Sequence, residues 1–115
     1  MSYLNYLKEE EGKEIIDLDG KGFFSYTLNF ETKEMFVPDV YILPEHRGTE
    51  VKRRIVDEID RVGLESGMEV VTGYVSMMGG DGDRFLKKLM FYKRLGFTVS
   101  SIVNNMVIII RKVGG

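Results

Sequence analysis

Between Phe23 and Phe30 apolar and polar side chains alternate, so Phe24, Tyr26, Leu28 and Phe30 fall on one face of a strand. Glu14–Leu18 reads as a shorter strand ahead of it, and Asp19-Gly20-Lys21-Gly22 as the turn between the two. Glu31-Thr32-Lys33 makes a tight connection to a third strand, Glu34–Leu43, which contains Pro38. Proline has no N–H for a strand ladder, so an edge, a bulge or a splayed region is expected there. The period then changes. Val51, Ile55, Ile59 and Val62 recur at helical spacing with charged residues between them, Thr49 reads as the N-cap, and Gly67 reads as the stop. Glu69–Met77 is an apolar-rich strand. A glycine-rich loop, 79–83, with Asp83 as N-cap, hands over to a second helix, Arg84–Leu95, stopped by Gly96. Phe97–Val103 and Asn105–Lys112 form a hairpin turned at Asn104-Asn105, and Val113-Gly114-Gly115 trails as a tail. Ahead of all this, Ser2–Glu11 reads as a short amphipathic helix carrying Leu4 and Leu7.

The elements therefore run β-β-β-α-β-α-β-β behind a short N-terminal helix. The economical arrangement is a mixed α/β (α+β) fold, a largely antiparallel sheet flanked by helices. At 115 residues, with no internal repeat or linker, the chain reads as one domain spanning residues 1–115. Folding a chain of this size buries about two-thirds of its extended surface, enough for a core without covalent staples.

Composition narrows the chemistry. With no cysteine, a disulfide framework, a thiolate zinc site and a cysteine nucleophile are excluded. His46 is the single histidine and reads as an exposed loop residue, so no metal site is expected. Asp81-Gly82-Asp83 lacks the later carboxylates of a calcium loop, and the glycines before it precede no Lys-Ser/Thr, so they are not a phosphate loop. The longest apolar run, Met106–Ile110, is too short for a bilayer, and the first residues show no secretory pattern. A cytoplasmic protein without membrane partners is the expectation. Net charge is −2, divided unevenly: residues 1–39 carry four Lys against nine acidic residues, and residues 40–115 carry twelve Lys and Arg against nine. That basic excess suits a small anionic ligand and is too slight for a nucleic-acid partner.

Two segments carry a resemblance. Tyr41-Ile42-Leu43-Pro44-Glu45-His46-Arg47-Gly48 ends a strand and opens the long helix, and Tyr92-Lys93-Arg94-Leu95-Gly96-Phe97 ends the second helix and opens a strand. At this spacing, around one intervening strand, they resemble the GNAT family of acetyl-CoA-dependent N-acetyltransferases over roughly residues 22–112, including small acetyltransferase-like proteins encoded by bacteriophages. The resemblance implies acetyl-CoA as co-substrate and a primary amine as acceptor. It also implies a cofactor-binding segment at Ile42, Arg47, Gly48, Thr49, Lys52 and Arg53, and Tyr92 as the acid for the departing thiolate. Glu34 and Asp39, on the strand leading into that segment, are the candidate bases, with Asp39 and Tyr41 on a shared face.

Two departures set this chain apart from the family pattern. Two helices that usually stand between the first two strands and help wall the acceptor side have no counterpart, so that side is open or is completed by a homodimer or a protein partner. The small positions of the family's phosphate loop are occupied by Glu50 and Lys52. A carboxylate about 4 Å from a phosphate, at an effective dielectric near 20, opposes binding by roughly 4 kcal/mol. Either Glu50 turns outward and Lys52, Arg53 or Arg54 compensates, or the chain is a catalytically inactive GNAT-fold binding or assembly protein.

Overall fold

The computed structural model describes residues 14–46, 50–77 and 82–114. Seven strands form one mixed sheet: β1 (Glu14–Asp17), β2 (Gly22–Asn29), β3 (Glu34–Phe36), β4 (Val40–Ile42), β5 (Val70–Ser76), β6 (Thr98–Val103) and β7 (Met106–Lys112). The spatial order is β1-β2-β3-β5-β7-β6, with β4 pairing the first half of β2. All pairs are antiparallel except β3 with β5. Helix α1 (Glu50–Glu65) joins β4 to β5, and α2 (Gly82–Arg94) joins β5 to β6. The expected mixed fold therefore stands, with one difference in element order, a fourth strand before the first helix. The Ser2–Glu11 helix, the Thr49 cap and Gly115 lie outside the described residues. No helix among the described residues is long and apolar enough to cross a membrane.

Local chemistry places the turns and stops. Asn104 and Asn105 both adopt positive φ, 48° and 63°, as a two-residue hairpin requires, and Asp19 and Gly20 do the same between β1 and β2. Four residues thus connect those strands, leaving no room for helices between them. Helix α1 ends where Gly67 takes φ 74°; Met68 N–H donates to the Gly63 carbonyl and Gly67 N–H to the Leu64 carbonyl. Those two bonds satisfy carbonyls that a helix end leaves open.

Register divides the sheet into two faces. Met35, Val71, Val75, Val107 and Ile109 share one face and are almost fully buried. Helix α1 seals it with Val51, Ile55, Ile59 and Val62, each burial stabilising the fold by about 2 kcal/mol. Arg111, on the same face, donates to Asp60 of α1 at 2.9 Å and to the Leu95 carbonyl just after α2 at 3.2 Å. One guanidinium thus ties both helices to β7.

Five expectations need correcting. The single strand Glu34–Leu43 is two strands, because the chain bulges at Pro38. Phe30 lies beyond β2, 67% exposed, so it does not extend the aromatic face. Asp83 lies inside the first turn of α2, which begins at Gly82, so it is not the N-cap. His46 closes a short 3-10 helix, Pro44–His46, and is half-buried. The C-terminal residues are docked: Gly114 N–H donates to Asp60, and Val113 packs on the core and meets Gly63 so closely that a Cβ there would lie 3.0 Å from it.

Candidate active site

Strand β3 runs alongside β5 only as far as Val37, whose N–H donates to the Thr72 carbonyl. Between Phe36 and Val40 the chain uses three residues where β2 uses two, Ser25 and Tyr26. Pro38 occupies the middle of this bulge, where its missing N–H costs no ladder bond. Past the bulge β4 follows β2 and leaves β5, so the sheet opens into a wedge. At the apex Gly73 of β5 lets the strands approach closely; a Cβ there would stand 3.3 Å from the Val37 carbonyl oxygen.

The wedge has a polar edge. Ser25 N–H donates to the Asp39 carbonyl and Leu43 N–H to the Lys21 carbonyl, each at 2.9 Å, so alternate residues of β4 point their backbone toward β2. Val40 and Ile42 fall between them and direct N–H and C=O toward the gap. The bulge also fixes Asp39. Buried Ser25 holds it twice, through the main-chain bond and through its hydroxyl, which donates to the carboxylate at 2.9 Å.

Helix α2 supplies the opposite wall. Gly96 takes φ 96°, Gly96 N–H donates to the Lys93 carbonyl, and Phe97 N–H donates to the Tyr92 carbonyl. This is the same glycine stop as in α1. It also places the Tyr92 and Phe97 rings edge to face, 5.6 Å apart, the apolar contact that accompanies such a stop. The run from Tyr92 to Phe97 therefore positions a tyrosine as a consequence of ending a helix.

Asp39, Val40 and Tyr41 from the bulge and β4, with Tyr92 and Lys88 from α2, line a cavity of about 400 Å³ at the wedge. Tyr92 is 2% exposed, and burial is the main reason its phenol is pushed up to about 12, followed by the negative charge of Asp39 and then by Tyr74. At neutral pH this side chain is a protonated donor beside a carboxylate.

The structure thus brings Tyr92 and Asp39 to one cavity, while Ile42 is a buried residue at the end of β4 outside its lining. Glu34 is elsewhere. It begins β3 and lines a separate cavity of about 740 Å³ with Glu31 and Thr72. Lys52 and Arg53 lie in the first turn of α1, half-buried and exposed, and Glu50 opens that helix with its side chain exposed. Arg54 is turned to Asp19 at 3.2 Å. Arg47, Gly48 and Thr49 lie outside the described residues. Among the described residues no group of three His, Cys, Asp or Glu could hold a metal ion.

Two participants escaped the sequence reading. Lys88 stands one helical turn before Tyr92, and that spacing of four was visible in the chain. The hold of Ser25 on Asp39 had no local signal, because the two meet only through the pairing of β2 with the bulge.

No protein-family model and no curated protein sequence matches the chain. Solved structures do. Nourseothricin acetyltransferase matches at TM-score 0.65 and 18% identity over 81% of this chain and 58% of its own. PaiA N-acetyltransferase from Thermoplasma acidophilum, solved with coenzyme A, matches at 0.66 and 16% over 92% of this chain and 65% of its own. Spermidine N-acetyltransferase from Vibrio cholerae, solved with coenzyme A and spermine, matches at 0.65 and 13% over 95% and 70%. This chain therefore spans less than two-thirds of the length of the first two.

Proposed function

We propose that this chain, which has the fold of the GNAT acetyltransferases, moves an acetyl group from acetyl-CoA to a primary amine. The observation that carries the reading is the wedge itself: β4 parts from β5 where a buried, protonated tyrosine and an anchored carboxylate face the gap. Acetyl-CoA supplies an activated thioester. The residues present suit it, since a cavity of about 400 Å³ is lined by Asp39, Val40, Tyr41 and Tyr92.

Each group in the wedge has a task. Val40 N–H, aimed into the gap, polarises the acyl oxygen where negative charge develops. Tyr92 holds a proton at neutral pH and gives it to the departing sulfur. Asp39, locked by Ser25, accepts the proton lost by the acceptor amine, directly or through water. Ile42 extends the amide edge toward the helix, where Arg47, Gly48, Thr49, Lys52 and Arg53 meet the diphosphate of the cofactor; Glu50 keeps its carboxylate in solvent. Glu34 has no part in this arrangement.

Calorimetric titration with acetyl-CoA tests the reading, with saturable heat at micromolar to millimolar cofactor as the expected result. A second reading, an inactive scaffold that binds or assembles, draws on Glu50 at the start of α1 and on the direct turn between β1 and β2 that removes wall helices. Absence of both heat and thermal shift at millimolar acetyl-CoA overturns the acetyltransferase reading and leaves the second one, which further requires self-association or capture of a partner.

A further inference from the structure

We infer that Lys88 is an acceptor for the protein's own acetyl transfer, a self-modification site in the wall of the wedge; this rests on the acetyltransferase reading above. Lys88 lies four residues before Tyr92 on α2, so the two side chains project from one helix face. Both line the cavity whose far wall is Asp39, Val40 and Tyr41. An acyl group held between those walls is presented to the proposed acid and to a primary amine borne on the same helix. Lys88 is exposed and also lines the cavity.

Lys87 is a built-in control. It is the preceding residue, also exposed and on the same helix, but it is turned by about 100° from Lys88 and does not line the cavity. Any reaction governed by bulk exposure treats the two alike. A reaction governed by the wedge selects Lys88, because a tethered amine has a large effective concentration at the acyl carbon.

The step balances without another reactant. The neutral ε-amine of Lys88 forms a bond to the thioester carbonyl carbon, the carbon–sulfur bond breaks, and the sulfur leaves with the Tyr92 proton as the free thiol. The proton lost by the amine passes to Asp39 or water, and Tyr92 regains one from solvent. The products are acetyl-lysine and CoA. The modified side chain is neutral and longer, and it removes a positive charge from the mouth of the cavity.

The test incubates the intact protein with isotope-labelled acetyl-CoA and follows each lysine by peptide mass spectrometry, beside a binding titration. The expected result is one acetyl group per chain on Lys88, entering at least about tenfold faster than on Lys87. The preference is lost in heat-unfolded protein and in Tyr92→Phe, whose fold is verified by circular dichroism, and the Lys88 rate itself is unchanged in Lys87→Arg. Equal rates at Lys87 and Lys88, or a Lys88 rate unchanged by Tyr92→Phe, overturn the inference while measured cofactor binding leaves the parent reading standing. Absence of cofactor binding overturns both.

Discussion

Beneath α1, Met35, Val71, Val75 and Ile109 are at most 1% exposed; across the same strands, Phe36, Thr72, Tyr74, Ile108 and Ile110 are only half-buried. The sealed face carries an unbroken apolar stripe of a sixteen-residue helix. The other is met by α2 through Tyr92 and Tyr74 near the wedge, and elsewhere the Phe36 and Tyr74 rings stack on each other, 5.9 Å apart. The contrast separates two duties. Cohesion comes from the face that α1 seals, and the cavity proposed for the chemistry lies on the face that is only half-buried. The sealed face can therefore be damaged without touching the wedge, and the wedge altered without unfolding the sheet.

Substitutions can break that division, beginning with the most severe. Ile55→Ala, fully buried under the sealed face, should cost about 3 kcal/mol in denaturant unfolding, while Ile108→Ala on the other face should cost about 1 kcal/mol. Equal costs would show that both faces contribute alike. Tyr92→Phe should lower kcat about a hundredfold with little change in acetyl-CoA affinity, since the hydroxyl acts on the leaving group. Steady-state kinetics with a range of amines checks this, and an unchanged kcat removes Tyr92 from the mechanism.

Asp60→Asn removes the charged partner of Arg111, whose side chain is 10% exposed, and should cost about 2 kcal/mol. The exposed pair between Arg54 and Asp19 offers the contrast; Asp19→Asn should move stability by less than about 0.5 kcal/mol. Alkaline pH gives a subtler probe. The folded phenol of Tyr92 holds its proton to about 12 against an ordinary value of 10.0, so the folded state binds more protons than the unfolded state between them. Its contribution is full below pH 10 and is lost as pH rises toward 12, on the order of 2 kcal/mol in total. Urea unfolding of wild type and Tyr92→Phe across that range should show the two curves converging; parallel curves would mean Tyr92 titrates normally.

Much of this molecule is written in short stretches of chain. Asn104-Asn105, Gly67 and Gly96 reveal turns and helix ends because positive φ is a steric matter settled within a few residues. The period-four apolar stripe from Val51 to Val62 announces a helix with one buried face for the same local reason. Tyr92 is singled out by the resemblance of Tyr92-Lys93-Arg94-Leu95-Gly96-Phe97 to the GNAT helix end, and helix spacing alone does not distinguish it from an ordinary core aromatic.

The site was less legible, and Glu34 and Asp39 show why. Both are carboxylates on what reads as one strand, and although Pro38 beside Asp39 signals a bulge, the chain does not say which of the two carboxylates reaches a cavity. Asp39 reaches the wedge because the chain bulges at Pro38 against β2 and parts from β5, whereas Glu34 sits where β3 and β5 still pair. Lys88 likewise comes to line the cavity only because α2 crosses the opening. Backbone sterics and side-chain periodicity act between near neighbours, so residue order suffices to set strands, helices, turns and stops. Wedge geometry, the proton held by Tyr92 and the company kept by Asp39 depend on burial and pairing between segments far apart in the chain, and those exist only once the sheet is assembled.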